Sequence, residues 1–299
     1  MYGVTMSRAL LKPPAQLLKW VGNKQRMAPM IAASFPRNFN TYYEPFLGSG
    51  AVLGALAPKS AVASDVLPPL IEIWEMLVDA PDDLISGYDY YRSQINRGID
   101  KAVVYQRALD RFNRTRDARA FVFLTRACYG GIVRFRKADG YMSTPVGAHT
   151  PISTDSFAKR VVAWRERVAG TKFSLMDYRE AFELPKAGDL VYCDPPYVDT
   201  QKILYGAQSF DFADLVMRIQ EAKDRGVFVA LSIDGSKRNG KHNVHLDLPD
   251  GLFETELAVS VGKSMLRRFQ LGGHVLDDEY VTDRLLLTYT PHTNSETLF

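Results

Sequence analysis

Cysteine is nearly absent. The 299 residues contain two, Cys128 and Cys193, too few for a disulfide framework or a zinc site of their own. Both are expected to be buried thiols. Long apolar runs are also missing: stretches such as Gly226–Leu231 fall far short of the roughly 20 residues that cross a bilayer. No secretory pattern opens the chain, because Lys12, Pro13 and Pro14 interrupt a brief apolar stretch. A soluble, cytoplasmic protein without membrane contact is expected. His149, His242, His245, His274 and His292 lack the spacing and the neighbouring acids or cysteines of a metal centre, so no metal is expected. Repeats and low-complexity tracts are missing too. What remains is an ordinary globular composition, 46% hydrophobic and 24% charged. At roughly 150 residues per domain, the length allows two domains or one with an insertion.

Acidic residues are scarce in one region. Between Arg92 and Lys137 there are 12 basic residues, ten of them Arg, against three acids, Asp100, Asp110 and Asp117. This segment carries +9 in a chain of net +3, so the remainder is acidic at −6. Arginine offers forked contacts to phosphates and to guanine edges, and a basic module on an acidic body points to a polyanion. A solvated helical face with local ion pairs is the alternative.

The periodicity predicts strands and helices in alternation. TYYEP (Thr41–Pro45) reads as a strand, Gly50–Leu56 as a helix, Ser60–Asp65 as a strand and Leu70–Val78 as a helix. Tyr88–Cys128 reads as helical, Tyr129–Pro151 as a loop and Ser156–Val168 as a helix. Strands follow at Lys172–Leu175, Asp189–Cys193 and Gly226–Ser232, with a helix at Phe212–Asp224 and a terminal hairpin from Leu257–Val261 and Arg284–Tyr289. This order predicts an α/β protein with a mostly parallel, Rossmann-like sheet covered on both faces. The basic helical stretch is read as an insertion.

Two motifs carry chemistry. In Glu44-Pro45-Phe46-Leu47-Gly48-Ser49-Gly50, a strand runs into a G-x-G turn and a helix, which lets backbone approach a ligand closely. Asp65 ends the next strand, where a carboxylate can accept from both hydroxyls of a ribose. A dinucleotide fingerprint would place a third glycine at Leu53 and a P-loop would carry a lysine; neither is present. A nucleoside ligand without phosphates fits better, S-adenosylmethionine (SAM) foremost. An ordinary strand–turn–helix remains the alternative.

The second motif, Asp194-Pro195-Pro196-Tyr197, follows the strand DLVYC. Asp194 and the Pro195 carbonyl form a socket for the two hydrogens of an exocyclic amine, and Tyr197 offers a ring to stack on. Two acceptors on an aromatic amine push its nitrogen toward a tetrahedral, nucleophilic state and stabilise the charge that methylation develops. The rest is in-line positioning. Carbon methylation of cytosine would need a nucleophilic Cys, whereas a carboxylate stands here.

Lys19-Trp20-Val21-Gly22-Asn23-Lys24, EPFLGSGA, Asp65 and DPPY, in this order, resemble the Dam-like DNA adenine-N6 methyltransferases (D12 class, alpha group). Phe112-Asn113, Tyr129–Phe135, Gly140, Pro145–Gly147, Leu231-Ser232 and Val281–Leu286 extend the resemblance over most of the chain. It implies a site-specific enzyme that methylates N6 of a flipped adenine in double-stranded DNA, with SAM as donor, S-adenosylhomocysteine as product and no metal. Residues 1–80 and 169–299 would form the catalytic domain, and 81–168 an inserted helical target-recognition domain. Trp20, Lys24, Glu44, Phe46, Gly48, Gly50, Asp65, Asp177 and Asp194 would serve the cofactor. Asp194, Pro195, Pro196 and Tyr197 would be catalytic. Arg126, Tyr129, Ile132, Arg134, Arg136 and Lys137 would meet DNA, with Arg134 on a guanine. Asn23 replaces the family's usual second glycine, which requires that its backbone is not left-handed. Gly130 stands where GATC-specific members carry Asn, so GATC is not the expected site. A monomer suffices for one flipped base, and a companion restriction endonuclease is compatible with the family. N4-cytosine methylation and a catalytically silent DNA-binding relative are the alternatives.

Overall fold

The computed structural model describes residues 12–196, 210–233, 248–263 and 280–291. Seven strands form one sheet: β1 (Tyr42–Glu44), β2 (Ala61–Asp65), β3 (Thr171–Leu175), β4 (Leu190–Cys193), β5 (Phe228–Ile233), β6 (Thr255–Lys263) and β7 (Tyr280–Leu287). Their order is β3-β2-β1-β4-β5-β7-β6. The pairs from β3 to β5 are parallel, and β7 runs antiparallel to both β5 and β6. The Rossmann-like expectation and the terminal hairpin both hold. The order reverses between β1 and β4, the switch point outside which such sheets bind ligands.

Alternation along the strands builds a core on each face. On β4, Leu190 and Tyr192 join one core, while Val191 and Cys193 join the other. Ala230 of β5 and Leu285 of β7 join the first, and Leu231 and Leu286 the second. The second core is closed by α8 (Tyr178–Ala181) and α9 (Phe212–Asp224), through Phe182, Leu215 and Ile219. The first runs without a break into the helices that follow β2: α3 (Pro68–Asp79), α4 (Pro81–Asn96), α5 (Lys101–Thr115), α6 (Ala118–Ala127) and α7 (Thr154–Arg167). Two short helices, α1 (Ala28–Ala33) and α2 (Ala51–Leu56), flank β1.

The stretch expected to be helical from Tyr88 to Cys128 is three helices, α4, α5 and α6. Gly98 (φ 88°) ends the first, and Arg116, left-handed at φ 57°, ends the second. A non-glycine residue holds that conformation because its side chain is engaged. The Arg116 guanidinium donates to the Gly140 carbonyl at 2.6 Å and lies over Phe112 and Phe135 at 5.3 and 5.7 Å. Asp117 then caps α6 by accepting from the Arg119 amide. Downstream, Asn113 clamps Met142, donating to its carbonyl and accepting from its amide, which pins the segment that follows α6 against α5.

The chain before β1 is held by the helical layer. Trp164 Nε1 donates to the Ala15 carbonyl at 2.9 Å, and Arg126 donates to the carbonyls of Gln16 and Leu17 at 2.9 and 2.7 Å. Fixed in this way, the Trp164 ring lies against α2, and a Cβ on Gly54 would stand 2.5 and 2.6 Å from its atoms. In an exposed helix, Gly→Ala gains about 0.8–1.0 kcal/mol. Here overpacking, at about 1–3 kcal/mol, outweighs it. Gly54→Ala is therefore expected to lower the thermal midpoint by several degrees in calorimetry; a rise would show that Trp164 yields freely.

Candidate active site

A cleft of about 930 Å³, partly open to solvent, lies at the carboxyl ends of β1 and β4. Its described lining carries three carboxylates, Asp65, Asp177 and Asp194, a fourth acid, Glu44, whose proton is held by burial, and one cationic side chain, Lys24. An excess of negative charge suits a cationic ligand and opposes one bearing phosphates.

The turn from β1 to α2 forms one wall. Gly48 and Gly50 have φ of 47° and 62°, which glycine adopts without strain. A side chain at either would be strained and tightly packed: a Cβ on Gly48 would meet Trp20 Nε1 at 3.1 Å, and one on Gly50 would meet the Trp74 ring at 3.0 Å. Asp65 ties the turn down, with Oδ2 accepting from the Gly48 amide and Oδ1 from the Leu67 amide, both at 3.1 Å. Burial pushes the Asp65 carboxyl up, and the backbone donors oppose that shift. Each oxygen keeps lone-pair capacity on the cleft side.

Opposite the turn, the loop carrying Trp20 and Lys24 closes the cleft. Trp20 packs edge-on against Phe121 of α6. Asn23 is not left-handed, so the condition on its departure from the family motif is met. Its side chain donates to the Trp20 carbonyl at 2.8 Å and accepts from Gln16 at 2.9 Å. Lys24 is 4% exposed, and its Nζ lies 2.6 Å from Asp194 Oδ1, 3.2 Å from the Gly22 carbonyl and 3.8 Å from Asp283 Oδ2. Burial alone would lower the lysine, but Asp194, Tyr192 and Asp283 raise it above the usual range. Burial likewise pushes Asp194 up, and the ammonium opposes that shift. Pro195 and Pro196 follow at the cleft, contributing carbonyls and no amide donors. Tyr197 lies outside the described residues.

An aromatic corner completes the site. Phe46 stacks on Tyr178 with centroids 5.4 Å apart, and Phe210 meets both edge-on. Asp177 caps α8 through the Arg179 amide at 2.9 Å, and the Tyr178 hydroxyl donates to Asp214 at 2.6 Å. Tyr178, Phe210 and Asp283 escape the sequence reading. Tyr178 follows a strand-end acid, as Val66 follows Asp65, and that parallel was the available signal. Asp283 had no local signal beyond the Val281–Leu286 resemblance.

The basic segment divides. Arg126, expected on DNA, is 3% exposed; one guanidinium nitrogen donates to the Gln16 and Leu17 carbonyls, and burial beside Arg160 pulls its pKa down to about 10. This corrects its assignment: it anchors the chain ahead of Trp20 and cannot present a charge to a phosphate. Arg136 pairs with Asp139 at 2.7 Å, Arg111 with Asp117 at 2.7 Å and Arg119 with Asp83 at 3.1 Å. Arg97, Arg114, Arg134 and Lys137 are exposed and lack an acidic partner among the described residues. Tyr129 is exposed and Ile132 half-buried on the same stretch, and the Ser143 amide donates to the Arg134 carbonyl at 2.9 Å. Both cysteines are buried, as expected. His149 is exposed; His242, His245, His274 and His292 lie outside the described residues. No described helix is long and apolar enough to cross a membrane.

Comparison with known proteins agrees with this geometry. Residues 20–236 match the model of the D12 class N6 adenine-specific DNA methyltransferases. The chain is 26% identical over 237 residues to the Type II methyltransferase M1.LlaDCHI of Lactococcus lactis subsp. cremoris, covering 73% of this chain and 80% of that one. It is 24% identical over 300 residues to a DNA adenine methylase of Vibrio cholerae, covering 96% and 100%. A DNA adenine methylase of Haemophilus influenzae is 26% identical over 248 residues, 74% of this chain and 81% of its own.

Glu44 generates a measurable consequence. It is buried, the Tyr42 hydroxyl donates to its Oε2 at 2.6 Å, and burial raises its pKa from 4.5 to about 8. Between these values the native state holds a proton that the unfolded state has lost, so its contribution to stability falls as pH rises. One group gives a slope of at most about 1.4 kcal/mol per pH unit. Glu44→Gln should therefore gain stability relative to wild type as pH rises from 5 to 8 in denaturant titrations. Parallel curves across that range would refute a buried, protonated Glu44.

Proposed function

The chain belongs to the D12 class N6 adenine-specific DNA methyltransferases, and from that premise we propose that SAM is its methyl donor and that Asp194, Pro195, Pro196 and Tyr197 hold the target amine. Its reaction is methylation of adenine N6 in DNA, which the family carries. The observation that supports the site assignment is the Asp194 carboxylate, at the carboxyl end of β4, 2.6 Å from a buried Lys24 and followed by two residues without amide donors.

SAM, when bound, supplies a sulfonium methyl and departs as S-adenosylhomocysteine. The fit rests on the lining: three carboxylates, one cationic side chain and a glycine turn whose Cβ positions are filled by indoles. Asp65 accepts from the ribose hydroxyls, Asp177 meets the adenine, and Trp20, Lys24, Glu44, Phe46 and the Gly48–Gly50 turn enclose the methionine part. On the target side, Asp194 and the Pro195 carbonyl accept the two N6 hydrogens. With Oδ1 tied to Lys24, Oδ2 is the oxygen left to take the amine. These acceptors stabilise the positive charge that grows on N6. Tyr197 stacks on the base, which is flipped because the amine cannot be reached within a duplex.

Residues 81–168 act as the target-recognition module on a catalytic body of 1–80 and 169–299. Arg97, Arg114 and Lys137 supply phosphate contacts, which position without specifying. Arg134 reads a guanine, with Tyr129, Ile132 and Arg136 around it. One flipped base requires one copy, so the working unit is a monomer.

Asp194→Asn should cut the rate of label transfer from SAM to N6 of adenine by about 10²–10³, the scale of losing one electrostatic contact in a transition state, with circular dichroism unchanged. A variant within threefold of wild type would sink the site assignment. On DNA, three exposed cations contacting phosphates give a log–log salt slope of roughly −3. Arg114→Ala should weaken binding to all duplexes alike and flatten that slope by about 1. Arg134→Ala should cost about 1–3 kcal/mol more on the methylated site, once sequenced, than on unrelated DNA. Equal losses on both duplexes would reassign Arg134 to a phosphate.

A further inference from the structure

Among the described residues Lys24 faces two carboxylates, Asp194 and Asp283. Asp283 lies on β7, is 7% exposed, and places Oδ2 at 3.8 Å from Lys24 Nζ, against 2.6 Å for Asp194 Oδ1. The topology explains how a residue this late in the chain reaches Lys24. β7 runs antiparallel to β5, with Arg284 opposite Ile233, so its early residues lie at the carboxyl ends of the parallel strands. At 3.8 Å the second contact is electrostatic rather than a hydrogen bond. The ammonium is thus tethered by the Gly22 carbonyl and held between two anions at unequal distances.

The difference in distance bears on chemistry. An ammonium committed to Asp194 draws electron density from the carboxylate and weakens it as an acceptor for the target amine. In the transfer, the N6 lone pair forms the new N–C bond, the C–S pair returns to the donor's sulfur, and an N6 proton later leaves to water. Acceptor strength at Asp194 matters most while positive charge builds on N6. A second anion within reach of Lys24 lets the ammonium move off Asp194 without becoming an unpaired buried charge.

We propose that Asp283 is a positioning residue for methyl transfer, acting through Lys24: it takes up the ammonium as Asp194 engages the target amine. This rests on the reading of Asp194 as the amine acceptor. The assignment is independent of DNA contacts.

The experiment is a double-mutant cycle of Asp283→Asn and Lys24→Met on the full chain. It is read by single-turnover label transfer, followed for hours so that slow variants are still quantified, and by calorimetric binding of SAM without DNA. Asp283→Asn should slow transfer by about 10- to 100-fold, within the span of coupling between contacting groups. KM for DNA and the dissociation constant for SAM should stay within about threefold, a split that general unfolding would not produce. In the Lys24→Met background the same change should cost less than about twofold. Asp283→Glu, which keeps the anion, should recover most of the rate. An equal loss in both backgrounds, a loss carried by weaker SAM binding, no loss, or no recovery with Glu each overturns the role. Wild-type protein that transfers no label to adenine N6 would instead overturn the reading of Asp194, and this proposal with it.

Discussion

The ion pair between Lys24 and Asp194 joins segments 170 residues apart, beside the switch point between β1 and β4. Both groups sit in a low-dielectric environment, where desolvation costs several kcal/mol per ion and an apolar pair of similar volume is often no less stable. Stability therefore does not explain the charges. What they provide is an ionised carboxylate held in a fixed place with one oxygen committed and one available. Everything around the pair serves that end: the Gly22 carbonyl tethers the ammonium, Asp283 flanks it, and the prolines after Asp194 add acceptors without competing donors.

Much of this was legible in the sequence, for reasons that are local. The strand–glycine–helix at Tyr42–Leu56 could be read because left-handed φ at Gly48 and Gly50 leaves a mark on residue choice. The helix at Phe212–Asp224 falls where its apolar spacing and its cap at Asp211 place it. Asp65 and Asp194 each close an apolar strand, where packing alone would favour another apolar residue and a carboxylate points to a ligand. Asp65 does more than its position foretold, since it also clamps the turn it faces.

What was not legible depends on contacts between distant segments. A count of charges cannot separate Arg126 from Arg134, although one is spent on backbone carbonyls and the other faces solvent. The break at Arg116 was hidden because its left-handed backbone is supported by Gly140, Phe112 and Phe135 rather than by a glycine. Asp283 reaches Lys24 only because β7 is antiparallel, and nothing in residues 280–287 taken alone announces that direction. Each of these features depends on a partner from another element of the fold, beyond the reach of any periodicity window.

The buried arginine also ties the helical layer to the chain ahead of β1. Residues 15–17 are gripped by Trp164, Arg126 and Arg160 from the helical layer, and the same stretch of chain continues directly into Trp20 and Lys24. Trp20 touches Phe121 of α6 on one side and fills the space above Gly48 on the other. Helices α6 and α7 therefore reach the Asp194 carboxylate through the short segment from Leu17 to Lys24, and they share one core with the sheet. The segment that bears Lys24 is thus fixed from both sides, by hydrogen bonds from α6 and α7 and by the ion pair to Asp194 at the end of β4.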